Sequence, residues 1–242
     1  MSEFKLPTEI VELPYKGLLY SEESGLKSGK IEMKYMTAKE EDILTNQSYI
    51  SKGTVLDKLM KSLIVSKINY DELLIGDKNA IMVAARILGY GSEYKFSYLG
   101  EEQTVDLSLL ENKEIDEKLF EKGVNAFEFT LPHSGNKLTF KFLNGKDEKN
   151  IQRELDGLKK INKDHSPEIS TRLKHMITSV EGKSETKDIR EFVDNYLLAK
   201  DSRALREYVR KIQPDVDLTF FPNGENNRAT LPIRVDFFWP DF

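Results

Sequence analysis

KIEMKYMTAKEEDIL (30–44) changes its periodicity half-way, and that change decides the fold class. Ile31, Met33 and Tyr35 alternate with charged residues, the period of two expected of a half-buried strand closing a hairpin. Thr37 then stands three residues before Glu40. In such a capping box the threonine caps a free helical N–H and the glutamate reaches back to the cap residue. A helix is therefore expected from Thr37, with Ile43, Leu44, Gln47 and Ile50 on one face. KLTFKFLNGKDEKNI (137–151) repeats the plan: an alternating strand, a cap residue, a lysine with acids, then an apolar helix start. A Leu-Pro pair (Leu13-Pro14; Leu131-Pro132) and a turn containing Ser and Gly precede each segment. The echo reads equally well as a duplication or as two uses of favourable cap chemistry.

Working outward, Pro7, Pro14 and SEESGLKSGK (21–30) mark extended, turn-rich chain. Gly53 interrupts the first helical pattern, and Val55, Leu56, Leu59, Met60, Leu63 and Ile64 resume it. Asp77 is expected to cap NAIMVAARILGYG (79–91), which Gly89 and Gly91 would end. Residues 1–92 thus read as a hairpin plus a three-helix unit. A β-rich insert (93–145) follows, with EYKFSYL (93–99) and QTVDLSLL (103–110) flanking a Gly100-Glu101-Glu102 turn. FEFTLP (127–132) and KLTFKFL (137–143) flank a second turn, HSGN. Residues 146–242 read as a helical region with C-terminal strands. Its four stripes centre on Ile151–Ile161, on Ile169 to Val180 after Pro167, on Ile189–Leu197, and on Leu205–Ile212 capped by Ser202. The fold class is α+β: β-hairpins each followed by helices, a helical C-terminal half and a final extended, aromatic-rich segment.

The chain has 242 residues, 36 basic and 41 acidic side chains, a formal charge of −5 and no cysteine. Disulfides and thiolate-bound metals are excluded. No stretch reads as a signal peptide or approaches the roughly 20 apolar residues of a membrane span, so a soluble cytosolic protein is expected. Charge is uneven: residues 1–145 carry −5, residues 146–214 carry +3 and residues 215–242 carry −3.

Catalytic patterns are weak, and no enzyme, cofactor or metal site is expected. His133, His165 and His175 show no metal-ligand spacing and read as surface residues. Glu40-Glu41-Asp42 and Glu101-Glu102 could imitate an acid pair, but read as solvated faces. Gly89-Tyr90-Gly91 follows a helix rather than a strand, the wrong context for a dinucleotide loop.

Two features point to binding. Arg203, Arg206 and Arg210 form a basic stripe opposite Leu205, Val209 and Ile212. The stripe would meet nucleic acid or, as Asp201, Glu207 and the acidic balance favour, an acidic face of this chain or a partner. Phe237, Phe238, Trp239 and Phe242 crowd aromatics at the chain end, either tucked into the core or serving as an anchor for a partner.

The chain resembles the baseplate hub assembly proteins of T-even-type contractile-tailed phages. The resemblance runs nearly end to end through ELPYKGLLY (12–20), GKIEMKYMTAKEEDIL (29–44), KGTVLDKLMKSLIV (52–65), INYDELLIGDKNAIMVAARILGYG (68–91), FEFTLPHSGNKLTFKFLNGKDE (127–148) and FFWPDF (237–242). The unit at 31–42 is also similar to the opening of phage tail assembly chaperones. The resemblance implies a tail morphogenesis protein acting on the baseplate central hub through protein–protein contacts. Its implied partners are hub proteins or the tape measure protein, met in the host cytoplasm during assembly or in the virion baseplate. The alternative is a nucleic-acid-binding regulator using the basic helix face; a third, a carboxylate hydrolase, would need an acid pair in one cleft.

Overall fold

A computed structural model describes residues 6–161, 167–222 and 227–238. Strand β1 (Thr8–Glu12) pairs antiparallel with β2 (Lys30–Lys34), Thr8 opposite Lys34. Helices α1 (Ala38–Leu44), α2 (Gln47–Ser51) and α3 (Val55–Leu63) follow, then α4 (Ile75–Tyr90). Strands β3 (Glu93–Tyr98) and β4 (Glu101–Asp106) make a second hairpin. Beyond it lie β5 (Phe127–Thr130), β6 (Lys137–Phe140), α5 (Gly145–Ile161), α6 (Glu168–Met176), β7 (Ile177–Val180), α7 (Thr186–Asn195) and α8 (Ala199–Ile212). The short pair β8 (Thr219–Phe220) and β9 (Ala229–Thr230) and a 3-10 turn, Val235–Phe238, complete the described chain. The mixed α+β class stands. One large buried cluster takes residues from Leu13 to Phe238, and a small second one, Leu143, Ile151 and Leu155, lies under α5. No helix among the described residues is long and apolar enough to cross a membrane.

The echo in the sequence is matched in the structure by a set of equivalent contacts. The capping box forms in the first unit, where Glu40 accepts from the Thr37 N–H and hydroxyl and from the Lys34 ammonium. In the second, Asp147 accepts from the Asn144 N–H and from Lys141, at the same spacings. The second strand of each hairpin then meets a later segment at the same position, Met33 opposite Ile64 and Phe140 opposite Ile177. Each unit also has a buried aspartate at the third residue of a helix that follows a Leu-Leu pair: Asp77 in α4 after Leu73-Leu74, and Asp201 in α8 after Leu197-Leu198. Each aspartate accepts the N–H of the residue after the Leu-Pro pair, Tyr15 to Asp77 at 3.0 Å and His133 to Asp201 at 2.8 Å.

Several expectations are corrected. The helix from Thr37 is two helices, because Asn46 caps a new start with its side-chain oxygen on the N–H groups of Ser48 and Tyr49. Asp77 is not a cap: α4 begins at Ile75, and Asp77 faces inward. The β3–β4 turn is Leu99-Gly100, both left-handed (φ 52° and 87°), so β4 begins at Glu101. Residues 177–180 leave the helical pattern to become β7, giving the strand order β5-β6-β7. Ser202 lies inside α8 rather than capping it, and Val235–Phe238, the described part of the final aromatic run, is a 3-10 turn instead of a strand. Glu40 is fully buried rather than part of a solvated face; burial would raise its carboxyl, but Lys34, Ser62 and Thr37 bring it down to about 2.

The Asp77 carboxylate also takes the Tyr20 hydroxyl at 2.5 Å, and that oxygen accepts the N–H of Leu74. Burial pushes the Asp77 carboxyl up to about 7, against the pull of the Tyr15 and Tyr20 donors. The folded chain thus holds this proton more tightly than the unfolded one. The associated stability is full below the ordinary value of 3.8 and is lost as pH rises through about 7. Urea unfolding at about pH 5 and about pH 8 should show a loss in the native protein that Asp77→Asn does not show. Equal losses in both would refute the assignment.

Candidate protein-contact cleft

The helix α8 is fixed at its start by the hairpin turn of the second unit. His133 and Ser134 both give their N–H groups to Asp201, at 2.8 and 3.0 Å. Burial alone would raise the Asp201 carboxyl, but these donors, with the Ser134 hydroxyl, hold it below the usual aspartate value. Beyond the far end of α8, the Pro214 carbonyl lies against Gly76, where a Cβ would stand 2.0 Å from the Pro214 oxygen. Asp215 then accepts from the Asn79 amide at 2.9 Å. Only glycine in the first turn of α4 allows this approach, so Gly76 sets where α8 and the chain after it lie.

The placement opens a cleft of about 350 Å³ between α6, α8 and the start of α4. Phe142, Leu143, Leu173 and Val209 give it an apolar floor; Lys113, Arg172, Arg206 and Arg210 line it with cations and Glu168 and Asp215 with acids. Arg206 and Arg210 are four residues apart and so share a face of α8. Arg206 donates to the Ser202 carbonyl of its own helix at 3.3 Å. Arg172 is different, since both its terminal nitrogens are held by Glu148 of α5. Among the described residues, Lys113, Arg206 and Arg210 form no ion pair. A larger cleft of about 1020 Å³, between α3, α4 and α5, shares Ile75 and Arg172 with the first.

The structure divides the residues singled out in the sequence. Arg206 and Arg210 come together in the cleft, but Arg203 points elsewhere, its side chain 76% exposed and paired with Glu207 at 2.7 Å. The three-arginine stripe is therefore two cleft-lining positions and one local ion pair. Phe237 and Phe238 are fully buried, Phe237 edge-on to Tyr94 at 4.8 Å and to Phe238 at 5.2 Å. They are tucked into the core, the first of the two alternatives for this aromatic run, and the anchor reading does not hold for these two rings. Trp239 and Phe242 lie outside the described residues, as does His165. His133 is exposed, as expected. His175 is half-buried rather than freely exposed: its ring nitrogen is 3.1 Å from Glu154, which also takes both terminal nitrogens of Arg190. Those partners, Arg190 first, bring the Glu154 carboxyl down to about 2 and tie α5 to α6 and α7.

Sequence reasoning missed Arg172 and Lys113. Arg172 neighbours the core residue Leu173 and carried no periodic signal of its own; Lys113 sits in the charge-rich stretch 111–123, where one lysine is indistinguishable from the rest. Among the described residues there is no group of three or more His, Cys, Asp or Glu placed to hold a metal ion. Compared with protein-family models, with curated proteins and with solved structures, the chain finds no significant match.

Gly76→Ala should destabilise the protein by about 1–3 kcal/mol despite the better helix propensity of alanine, because the Pro214 backbone must shift. Gly157, interior to α5 with nothing within 4 Å of its notional Cβ, is the control, and Gly157→Ala should stabilise by about 0.5–1 kcal/mol. Urea unfolding reads both, and a neutral Gly76→Ala would refute the close-approach account.

Proposed function

We propose that this chain is a tail morphogenesis protein of a T-even-type contractile-tailed phage, acting in assembly of the baseplate central hub through protein–protein contacts. The observation that carries the reading is the α6–α8 cleft, where an apolar floor is flanked by Lys113, Arg206 and Arg210, none of them ion-paired among the described residues. Such a surface suits a protein segment that brings one bulky apolar side chain together with carboxylates. Desolvated apolar contact supplies the affinity, and charge sets orientation and partner choice. The sequence resemblance supplies the partners: baseplate hub proteins or the tape measure protein, met in the host cytoplasm.

Nucleic acid is the poorer fit. The rings lining the two clefts are Phe142 and Tyr70, buried to 1% and 7% exposure, and Lys61 and Lys78 cover Tyr70. Neither offers an open face on which a base could stack.

Tagged protein captured from infected cells should bring down hub or tape measure proteins. Arg206→Glu with Arg210→Glu should reduce that capture roughly tenfold, while Arg203→Glu leaves it unchanged. Absence from purified virions would make the protein an assembly chaperone, and presence at fixed copy number a hub component. Recovery of nucleic acid without any tail protein would overturn the proposal.

A further inference from the structure

The two repeated units are joined by a contact that the chain uses once and could use twice. At the join, the start of α4 in the first unit meets the helix cap of the second, Leu74 opposite Asn144. Ile75 gives its N–H to the Leu143 carbonyl at 3.3 Å, and Gly145 gives its N–H to the Leu73 carbonyl at 3.0 Å. Leu74 is 3% exposed there, and Gly145 is buried. The repeat defines the counterparts of both sides. Leu198, before α8, stands where Leu74 stands; Thr37 and Ala38, at the start of α1, stand where Asn144 and Gly145 stand. These counterparts do not meet. Leu198 is 51% exposed, its neighbour Tyr196 is 61% exposed, and Ala38 is exposed.

A contact between unlike faces, used once between two like units, leaves one unlike face free at each end. We infer that a second copy of this chain docks head to tail, the Leu197-Leu198 start of α8 in one copy meeting the Thr37-Ala38 start of α1 in the next. The occupant is a second copy because each open face is the counterpart of a face already shown to fit the other. The backbone groups required are equivalent in kind: a carbonyl and an N–H on either side of the joint. One departure is tolerable. Ala38 carries a Cβ where Gly145 has none, and at Gly145 such an atom would stand 3.3 Å from Asp71, so the neighbour yields by a few tenths of an ångström. The other departures are Ala199 and Lys200 in place of Ile75 and Gly76. Gly76 is required by Pro214, which packs on α4 and has no part in the joint itself. Repetition of this contact gives a closed ring if the rotation between units closes, and an open array if it does not.

The test uses the full chain and sedimentation velocity over a range of concentrations. Leu198→Asp removes the exposed apolar face and places a good helix cap at the start of α8. Ala38→Glu crowds the other face with a side chain that suits a helix start. Both variants should melt like the native protein. The native chain should sediment as an assembly that grows with concentration, and each variant alone should be monomeric. An equal mixture of the two should form dimers and nothing larger, because it retains one good contact per pair. A native chain that stays monomeric up to about 0.2 mM, roughly the range of weak specific association, would overturn the inference. So would a folded variant that still assembles, or a mixture that remains monomeric. None of these results bears on capture of tail proteins through the cleft, so the two readings stand or fall separately.

Discussion

Each half of this protein depends on a carboxylate that has left water to hold a loop. Asp77 and Asp201 are fully buried, each at the third position of a helix, and each accepts a backbone N–H from the chain just after a Leu-Pro pair. A buried charge without partners would be strongly destabilising, so these positions are tolerable only when the loop is in place. The dependence runs both ways, since the loop's N–H groups have no strand or helix of their own to satisfy them. In the first unit the Tyr20 hydroxyl extends the link, giving its proton to Asp77 and accepting the Leu74 N–H. The connection between β1 and β2 is long, yet Leu13, Tyr15, Leu19, Tyr20 and Leu26 are all buried in it. It behaves as part of the core.

The cleft is a by-product of that arrangement. Asp201 fixes one end of α8 and the Gly76–Pro214 approach fixes the chain beyond the other, so Arg206 and Arg210 are presented from a helix with little freedom to move. Their side chains line the apolar floor, and among the described residues neither forms a direct ion pair. Arg172 would be a third such group but for Glu148, and their pair stands where the two clefts meet. Unpaired charge beside an apolar surface is the feature on which the proposed recognition role rests, as distinct from a salt-bridged face.

Local chemistry made much of the fold legible. The hairpins, the capping box at Thr37 and Glu40 and the helices α5 to α8 follow from alternation, cap residues and apolar stripes, all set by neighbours in sequence. Asp77 was misread because an acid before an apolar helix has the same sequence signature whether it caps the helix or lies inside its first turn. Strand β7 was hidden because Ile177 and Val180 continue the spacing of α6; what makes them a strand is β6, about forty residues earlier in the chain. The echo between the two hairpin–helix segments was visible, but its meaning was not. The buried aspartates and the matching bridges to Ile64 and Ile177 involve pairs too distant for any local pattern to join. Of the candidate binding residues, helical spacing correctly grouped Arg206 with Arg210, but could not foresee that Glu207 would claim Arg203.

The separations along the chain also imply an order of events during synthesis. The bonds that close the first unit, from Tyr15 and Tyr20 to Asp77, span 62 and 57 residues, whereas the bond from Asn79 to Asp215 spans 136. A chain leaving the ribosome N-terminus first can complete the first unit while α8 has yet to be made. Until then the start of α4 lies open, without the Asn144 strand contact and without Pro214 over Gly76. The nascent protein thus passes through a stage in which its first unit exposes the face that its own second unit will later cover. Two neighbouring chains on one message would meet during that interval, and the speed of translation through residues 137 to 215 decides how long it lasts.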